Sequence, residues 1–203
     1  MSKIGVVVAG RTISEIHQAV VASRKELFMP ESGRLTNLEW LLENRVQLIL
    51  GVQLDIVDDR DSSVAGVHAA YNYAEKVVRI RESVMRKIRI DEPEARFTVC
   101  HEIGHICLHS NPDFFRQVLP NHLPKKICDP EWQADFFAVD FQVDRELLKQ
   151  YDDPIKAAHY FQVPIWEMQL YFAQLKAQGV LASGAMTQAD KCYEAAIQEG
   201  FEF

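Results

Sequence analysis

The sequence is poor in cysteine: Cys100, Cys107, Cys128 and Cys192 are the only four in 203 residues, and no two form a C-x-x-C pair. That spacing argues against a cysteine zinc knuckle. With nothing to mark secretion, it points to free thiols in a reducing cytoplasm. Long hydrophobic runs are also lacking. No apolar stretch approaches the roughly 18 residues that a membrane helix needs, so no membrane association is expected. Near the N-terminus the apolar stretch Ile4 to Ala9 is short for a signal sequence, and no convincing cleavage site follows it. Positive charge is not in excess: the net charge is -7, which weighs against a large nucleic-acid footprint, since phosphate binding wants clustered Lys and Arg. Internal repeats and low-complexity tracts are absent as well. What remains is the make-up of an ordinary globular domain, 48% hydrophobic and 25% charged, long enough to bury a core without staples.

The periodicities describe an α+β chain that is mostly helical. Ile13, Ile16, Val20 and Leu27 predict a helix over 11–28, and a loop follows at Met29 to Gly33. A second helix is expected from about Asn37 to Ile49, with Gly51 as its left-handed cap. Val52–Val57, Gly66–Tyr71 and Lys76–Ile80 read as the strands of a small three-stranded sheet. A short helix over Ser83–Ile90 comes next, then a strong one opened by Pro93 and running to His109, with Asn111-Pro112 as its stop. Residues 111–127 hold three prolines and are expected to be irregular. Asp129 suits an N-cap and Pro130 the first helical position of a helix to about Gln150. Two more helices, to Phe161 and from Ile165 to Ala177, are separated by Gln162-Val163-Pro164. The expected organisation is one domain over 1–150 and a C-terminal helical segment over 151–203 that resembles a helix-turn-helix.

The chemistry is concentrated in His101-Glu102-Ile103-Gly104-His105, an H-E-x-x-H sequence inside a predicted helix. Residues four apart on a helix lie one turn apart on the same face. Both imidazoles can therefore bind one ion, while Glu102 stands next to the first ligand, placed to take a proton from an attacking water. Two histidines leave a catalytic zinc one protein ligand short. Glu131, at the start of the next helix, can complete a His-His-Glu site. Asp135, one turn on, can accept the free N–H of a ligating imidazole and fix its tautomer. An oxyanion donor is also needed; Tyr71, Tyr73, His68, His122 and His159 all qualify as candidates.

The stretch Arg96-Phe97-Thr98-Val99-Cys100-His101-Glu102-Ile103-Gly104-His105-Ile106-Cys107-Leu108-His109 resembles the core R-F-T-x-x-H-E-x-G-H-x-x-x-H of the ImmA/IrrE metallopeptidases. Glu131-Trp132-Gln133-Ala134-Asp135-Phe136-Phe137-Ala138 resembles the family's second motif, E-x-x-A-[ND]-x-F-A. The resemblance covers about Arg96 to Leu148. It implies a zincin-like fold of the gluzincin type with one zinc per chain held by His101, His105 and Glu131, and Glu102 as the base, in agreement with the reading of the residues themselves. It further implies a cytoplasmic endopeptidase with a role in transcriptional regulation, whose protein substrate is a helix-turn-helix repressor. Cys100 departs from the family pattern, where a small or apolar residue is usual, and is expected to be inert.

Other residues have plainer readings. His109 continues the stripe of His101 and His105 but sits at the helix end, so a structural hydrogen bond is expected rather than a third ligand. Asp129 is a rival carboxylate that its capping position already explains. Over residues 152–203 there are three Lys or Arg against seven Asp or Glu, which opposes direct binding of duplex DNA. Packing or partner docking is expected there, with Trp166, Met168, Tyr171 and Phe172 in the core. Two other functions compete with the peptidase: a metal-stabilised module that sequesters a repressor without cutting it, and a DNA-binding regulator built on residues 152–182.

Overall fold

A computed structural model describes residues 8–27, 29, 37–109 and 125–182. Helix α1 (Ile13–Glu26) begins where Thr12 and Glu15 exchange side-chain-to-backbone hydrogen bonds in a capping box. Ile13, Ile16 and Val20 turn into the core, and Leu27 follows them. The expected second helix forms in pieces: α2 (Leu38–Leu41), a π-helical turn over Leu42–Val46, and α3 (Gln47–Leu50). Gly51 closes it at φ 63°, ψ 31°, a conformation that costs glycine no Cβ clash.

Strands β1 (Gln53–Val57), β2 (Ala69–Asn72) and β3 (Val77–Arg81) form one sheet in the order β1-β3-β2. β1 runs parallel to β3, and β2 is antiparallel to it. β2 starts three residues later than the pattern predicts, because Gly66 turns the chain at φ 79°. Helix α4 (Glu82–Ile88) leads to α5 (Pro93–His109) and then, after a 3-10 turn at Lys125–Cys128, to α6 (Pro130–Gln142). Residues 110–124, most of the expected irregular loop, lie outside the described residues, as does the expected stop at Asn111-Pro112.

Helix α6 ends at Gln142, not near Gln150. Val143 is extended at φ −107°, ψ 134°, and Asp144 caps a new short helix, α7 (Arg145–Leu148), by accepting from the N–H groups of Glu146 and Leu147. A capping carboxylate competes with continuation of the preceding helix. The break also lets Arg145 reach back to Asp140, with Nε 2.6 Å from its carboxylate. The fully buried Asp140 also accepts from His17 Nδ1 and the Tyr171 hydroxyl, so a charge in the core is paired on several sides, as burial requires.

α5 and α6 pack side by side through the centre of the molecule. Both are buried nearly all round, with Val99, Ile103, Phe137 and Phe141 inside. Each such side chain contributes about 1.5–3 kcal/mol relative to exposure. α8 (Pro154–Phe161) and α9 (Ile165–Ala177) join the same apolar cluster through Phe161, Met168, Tyr171, Phe172 and Leu175. Trp166 does not: it is 56% exposed. It lies two residues before Met168, about 200° round the helix, and faces outward. The architecture is α+β, a mostly helical core with a three-stranded sheet, as the periodicities predict. Among the described residues no helix is long and apolar enough to cross a membrane.

Candidate metal centre

His101 and His105 occupy successive turns of α5, and Glu131 is the second residue of α6. Asp129 does cap α6, accepting from the Glu131 N–H at 3.0 Å. Glu131 is thereby fixed at a helix start, where the macrodipole favours an anion. The two imidazole Nε2 atoms lie 2.9 Å apart. Glu131 Oε2 is 3.3 Å from the first of them and Oε1 is 3.6 Å from the second. Ligand atoms around a tetrahedral zinc stand roughly 3.3 Å apart, so these three separations suit such an ion. Among the described residues this trio is the group of His, Cys, Asp and Glu side chains able to hold a metal.

The surrounding hydrogen bonds orient the rings. Asp135 Oδ1 is 2.8 Å from His101 Nδ1, which leaves Nε2 for the ion. Burial opposes a charge on His101, but hydrogen bonds to Asp135 and Glu131 outweigh it and lift its pKa to about 10. An ion bound there therefore displaces a proton. The same hydrogen bonds, from His101 first and then His105, hold the Glu131 carboxyl well below the usual carboxylate range. His109 is not part of the trio. Its Nδ1 meets His105 Nδ1 at 3.1 Å and its Nε2 meets Gln133 Oε1 at 3.0 Å. Burial pushes its pKa down to about 4, so it is a neutral hydrogen-bonding group.

Glu102 lies beside the trio, 9% exposed. Its Oε2 accepts from the Tyr71 backbone N–H at 2.8 Å, which ties helix α5 to the edge strand β2. Burial raises its pKa, against the pull of His105, His101 and the Tyr71 N–H. A raised carboxyl pKa brings a base closer to working pH.

The trio opens into a cavity of about 550 Å³, lined by β2 and the preceding segment on one side and by Phe97, Thr98, Glu102 and Asp135 on the other. His68, Tyr71 and Tyr73 all face it. The ring of Tyr73 stands edge-on to Tyr71 at 4.6 Å. Burial first, then the carboxylates of Glu102 and Glu131, raise the Tyr73 hydroxyl above its ordinary pKa; it stays protonated, as a donor must. His159 is exposed on α8 and does not line the cavity; His122 lies outside the described residues. A larger cavity, about 880 Å³, is lined by Asp55, Asp61 and Arg79 and shares Ala70, Tyr71 and Tyr73 with the first. It holds none of the three clustered side chains, so the smaller cavity is where the chemistry can occur.

Three features were not legible as site features in the sequence: the buried Gln133, the direction of the His109 hydrogen bonds, and Glu167. Gln133 carries a signal in retrospect, a polar amide among Trp132, Ala134, Phe136 and Phe137 that must find partners if buried. Glu167 on α9 stands near enough to Asp135, Glu94 and His101 for their charges to act on it. Cys100 is buried and free, its thiol pushed up to about 12 by desolvation, hence unreactive. Cys107 and Cys128 are also free, and Cys192 lies outside the described residues.

No curated protein and no solved structure matches this chain. The family model described as peptidase M78, the IrrE N-terminal-like domain, matches residues 61–168. That span begins before β2, runs through both helices of the trio and ends within α9, and by this match the chain belongs to the IrrE N-terminal-like peptidase family.

Proposed function

We propose that this protein is a zinc-dependent endopeptidase, with His101, His105 and Glu131 as ligands, Glu102 as the base, and a helix-turn-helix repressor as its protein substrate. The observation that carries the reading is the convergence of the His101 and His105 Nε2 atoms on the Glu131 carboxylate, with Glu102 facing the same cavity. Two imidazoles and a carboxylate are the donor set of a catalytic zinc with an open position, and the spacings fit its size. Bound there, the ion supplies Lewis acidity that acidifies a water and polarises the scissile carbonyl.

The chain's own groups do the rest. Glu102 takes the proton from the attacking water and hands it to the leaving amine. The Tyr71 N–H holds the Glu102 carboxylate in place without neutralising it. Tyr73 lines the cavity, and the charges of Glu102 and Glu131 act on its hydroxyl, so we assign it the role of stabilising the developing oxyanion. β2 is an edge strand flanking the trio, so an extended substrate segment can add to it as a further strand. The repressor as substrate rests on the likeness of the two motifs to the ImmA/IrrE family.

Metal analysis of the purified chain is expected to give about one zinc, lost in His101→Ala. Glu102→Gln is expected to keep the metal and to lose cleavage of the cognate helix-turn-helix protein, followed by mass spectrometry. Full regulatory activity in Glu102→Gln would replace the peptidase with a module that binds the repressor without cutting it.

A further inference from the structure

One ligand of the trio has an obvious orienting group, Asp135 on His101. The other, His105, has no carboxylate on its Nδ1 among the described residues; it meets His109 instead. The protons in this chain of side chains can be assigned one by one, starting from the backbone. Gln133 Nε2 lies 2.9 Å from the Ala9 carbonyl oxygen and 2.5 Å from that of Ile127. Carbonyl oxygens only accept, so both amide protons of Gln133 are spent on them. The opposite amide orientation would set Oε1 against two acceptors. Gln133 Oε1 therefore faces His109 Nε2, 3.0 Å away, and that nitrogen carries a proton. An imidazole buried between a neutral amide and a second imidazole holds one proton only, so His109 Nδ1 is bare. The nitrogen opposite it, His105 Nδ1 at 3.1 Å, must then donate. His105 is left with a bare Nε2, the atom that faces His101 and Glu131.

We propose that His109 and Gln133 are positioning residues that hold His105 in its Nδ1–H tautomer, and so direct its Nε2 lone pair at the metal position, through a hydrogen-bond chain anchored on the Ala9 and Ile127 carbonyls. The proposal rests on the metal-site reading above and extends it to residues that touch neither ion nor substrate. Burial explains why the support is neutral. His109 and Gln133 are 1% and 0% exposed, and a carboxylate there would be a charge deep in the core. Asp135, by contrast, supports His101 from the surface, with its side chain 44% exposed. The anchor also makes the N-terminal segment part of the site: Val8 N–H and Arg11 N–H donate to the Cys128 and Ile127 carbonyls at 3.1 and 2.9 Å, holding Ala9 where Gln133 needs it.

The test compares His109→Phe, which keeps an aromatic ring and removes the acceptor, with His109→Asn, which restores an amide oxygen near the lost Nδ1. Zinc affinity is measured by competition with a chromophoric chelator. The His105 tautomer is read from long-range ¹H–¹⁵N correlations in the full-length wild type. The expected results are a protonated Nδ1 on His105, zinc affinity lowered about 10–100-fold in His109→Phe, and recovery of most of that loss in His109→Asn. Equal affinity of His109→Phe and wild type, or a proton on His105 Nε2 in the wild-type spectrum, overturns the relay while leaving the metal site standing. A wild type that binds no zinc overturns the metal site itself. The wild-type spectrum decides the tautomer even if His109→Phe does not fold.

Discussion

Gly104 of α5 lies so close to Ala134 of α6 that a Cβ on the glycine would sit 3.2 Å from both the Ala134 Cα and its carbonyl oxygen, and 3.1 Å from a ring carbon of Phe137. This contact sets the distance between the helix that carries His101 and His105 and the helix that carries Glu131 and Asp135. Backbone cannot swing aside as a flexible side chain can. Gly104→Ala is therefore expected to push α5 and α6 apart by a few tenths of an ångström. Overpacking of this kind costs roughly 1–3 kcal/mol of stability, measurable by denaturant unfolding. It should also lower zinc affinity, because the displaced helix carries Glu131, the carboxylate proposed as a ligand. Unchanged affinity would mean that the closeness of the helices serves packing alone.

Asp135 offers a cleaner separation of charge from geometry. Its Oδ1 accepts from His101 Nδ1 at 2.8 Å. Asp135→Asn keeps an acceptor there and removes the negative charge that helps to raise the pKa of His101, a proposed ligand. Zinc binding is expected to weaken about tenfold in Asp135→Asn and by more in Asp135→Ala, within the usual range for groups that support a ligating histidine. Chelator competition reads both, and equal losses in the two variants would show that the charge of Asp135 contributes nothing.

The parts of the site legible in the sequence are those fixed by helix geometry. His101 and His105 share a face because four residues make about one turn, whatever surrounds them. Glu131 was legible because Asp129-Pro130 marks a helix start with little ambiguity. Gln133 and His109 were not, since their roles depend on the carbonyls of Ala9 and Ile127 arriving from elsewhere in the chain. The same limit explains the end of α6. Asp144 becomes a cap, and Val143 turns extended, in a fold where Arg145 must reach Asp140 and Tyr171, a tertiary demand that local propensity does not carry. Trp166 fails for a simpler reason: large aromatic residues favour burial on average, and its angle on α9 relative to Met168 decided otherwise.

Tyr73 faces the cavity with Glu102 and Glu131 acting on its hydroxyl. Removing that hydroxyl takes away a hydrogen-bond donor and leaves the ring packed on Tyr71. Tyr73→Phe is expected to bind zinc as the wild type does and to cleave its protein substrate about 10²–10³-fold more slowly, the usual cost of losing an oxyanion donor. Single-turnover kinetics with the protein substrate measures this. A wild-type rate would move the role to another donor lining the cavity, such as His68 in the segment before β2.

Glu167 yields a pH dependence whose sign can be worked out. Its pKa is raised to about 7 by burial first, then by the negative charges of Asp135 and Glu94, against a smaller pull from His101. Its position in the first turn of α9 favours an anion, but that effect is the weaker one. In the unfolded chain the carboxyl titrates near 4.5, so between that value and about 7 the folded protein holds a proton that the unfolded chain releases. Stability therefore falls as pH rises through this window and levels off above it. Glu167→Gln removes the titrating group and keeps the shape. The variant and the wild type are expected to unfold alike near pH 4.5, and the variant to be more stable at pH 8 by roughly 1–3 kcal/mol. Thermal unfolding in the presence of a chelator gives the comparison. Zinc loading should narrow the gap, because a dication beside His101 favours the ionised form of Glu167. A stability difference that does not change with pH would show that Glu167 titrates in the fold as it does in the unfolded chain.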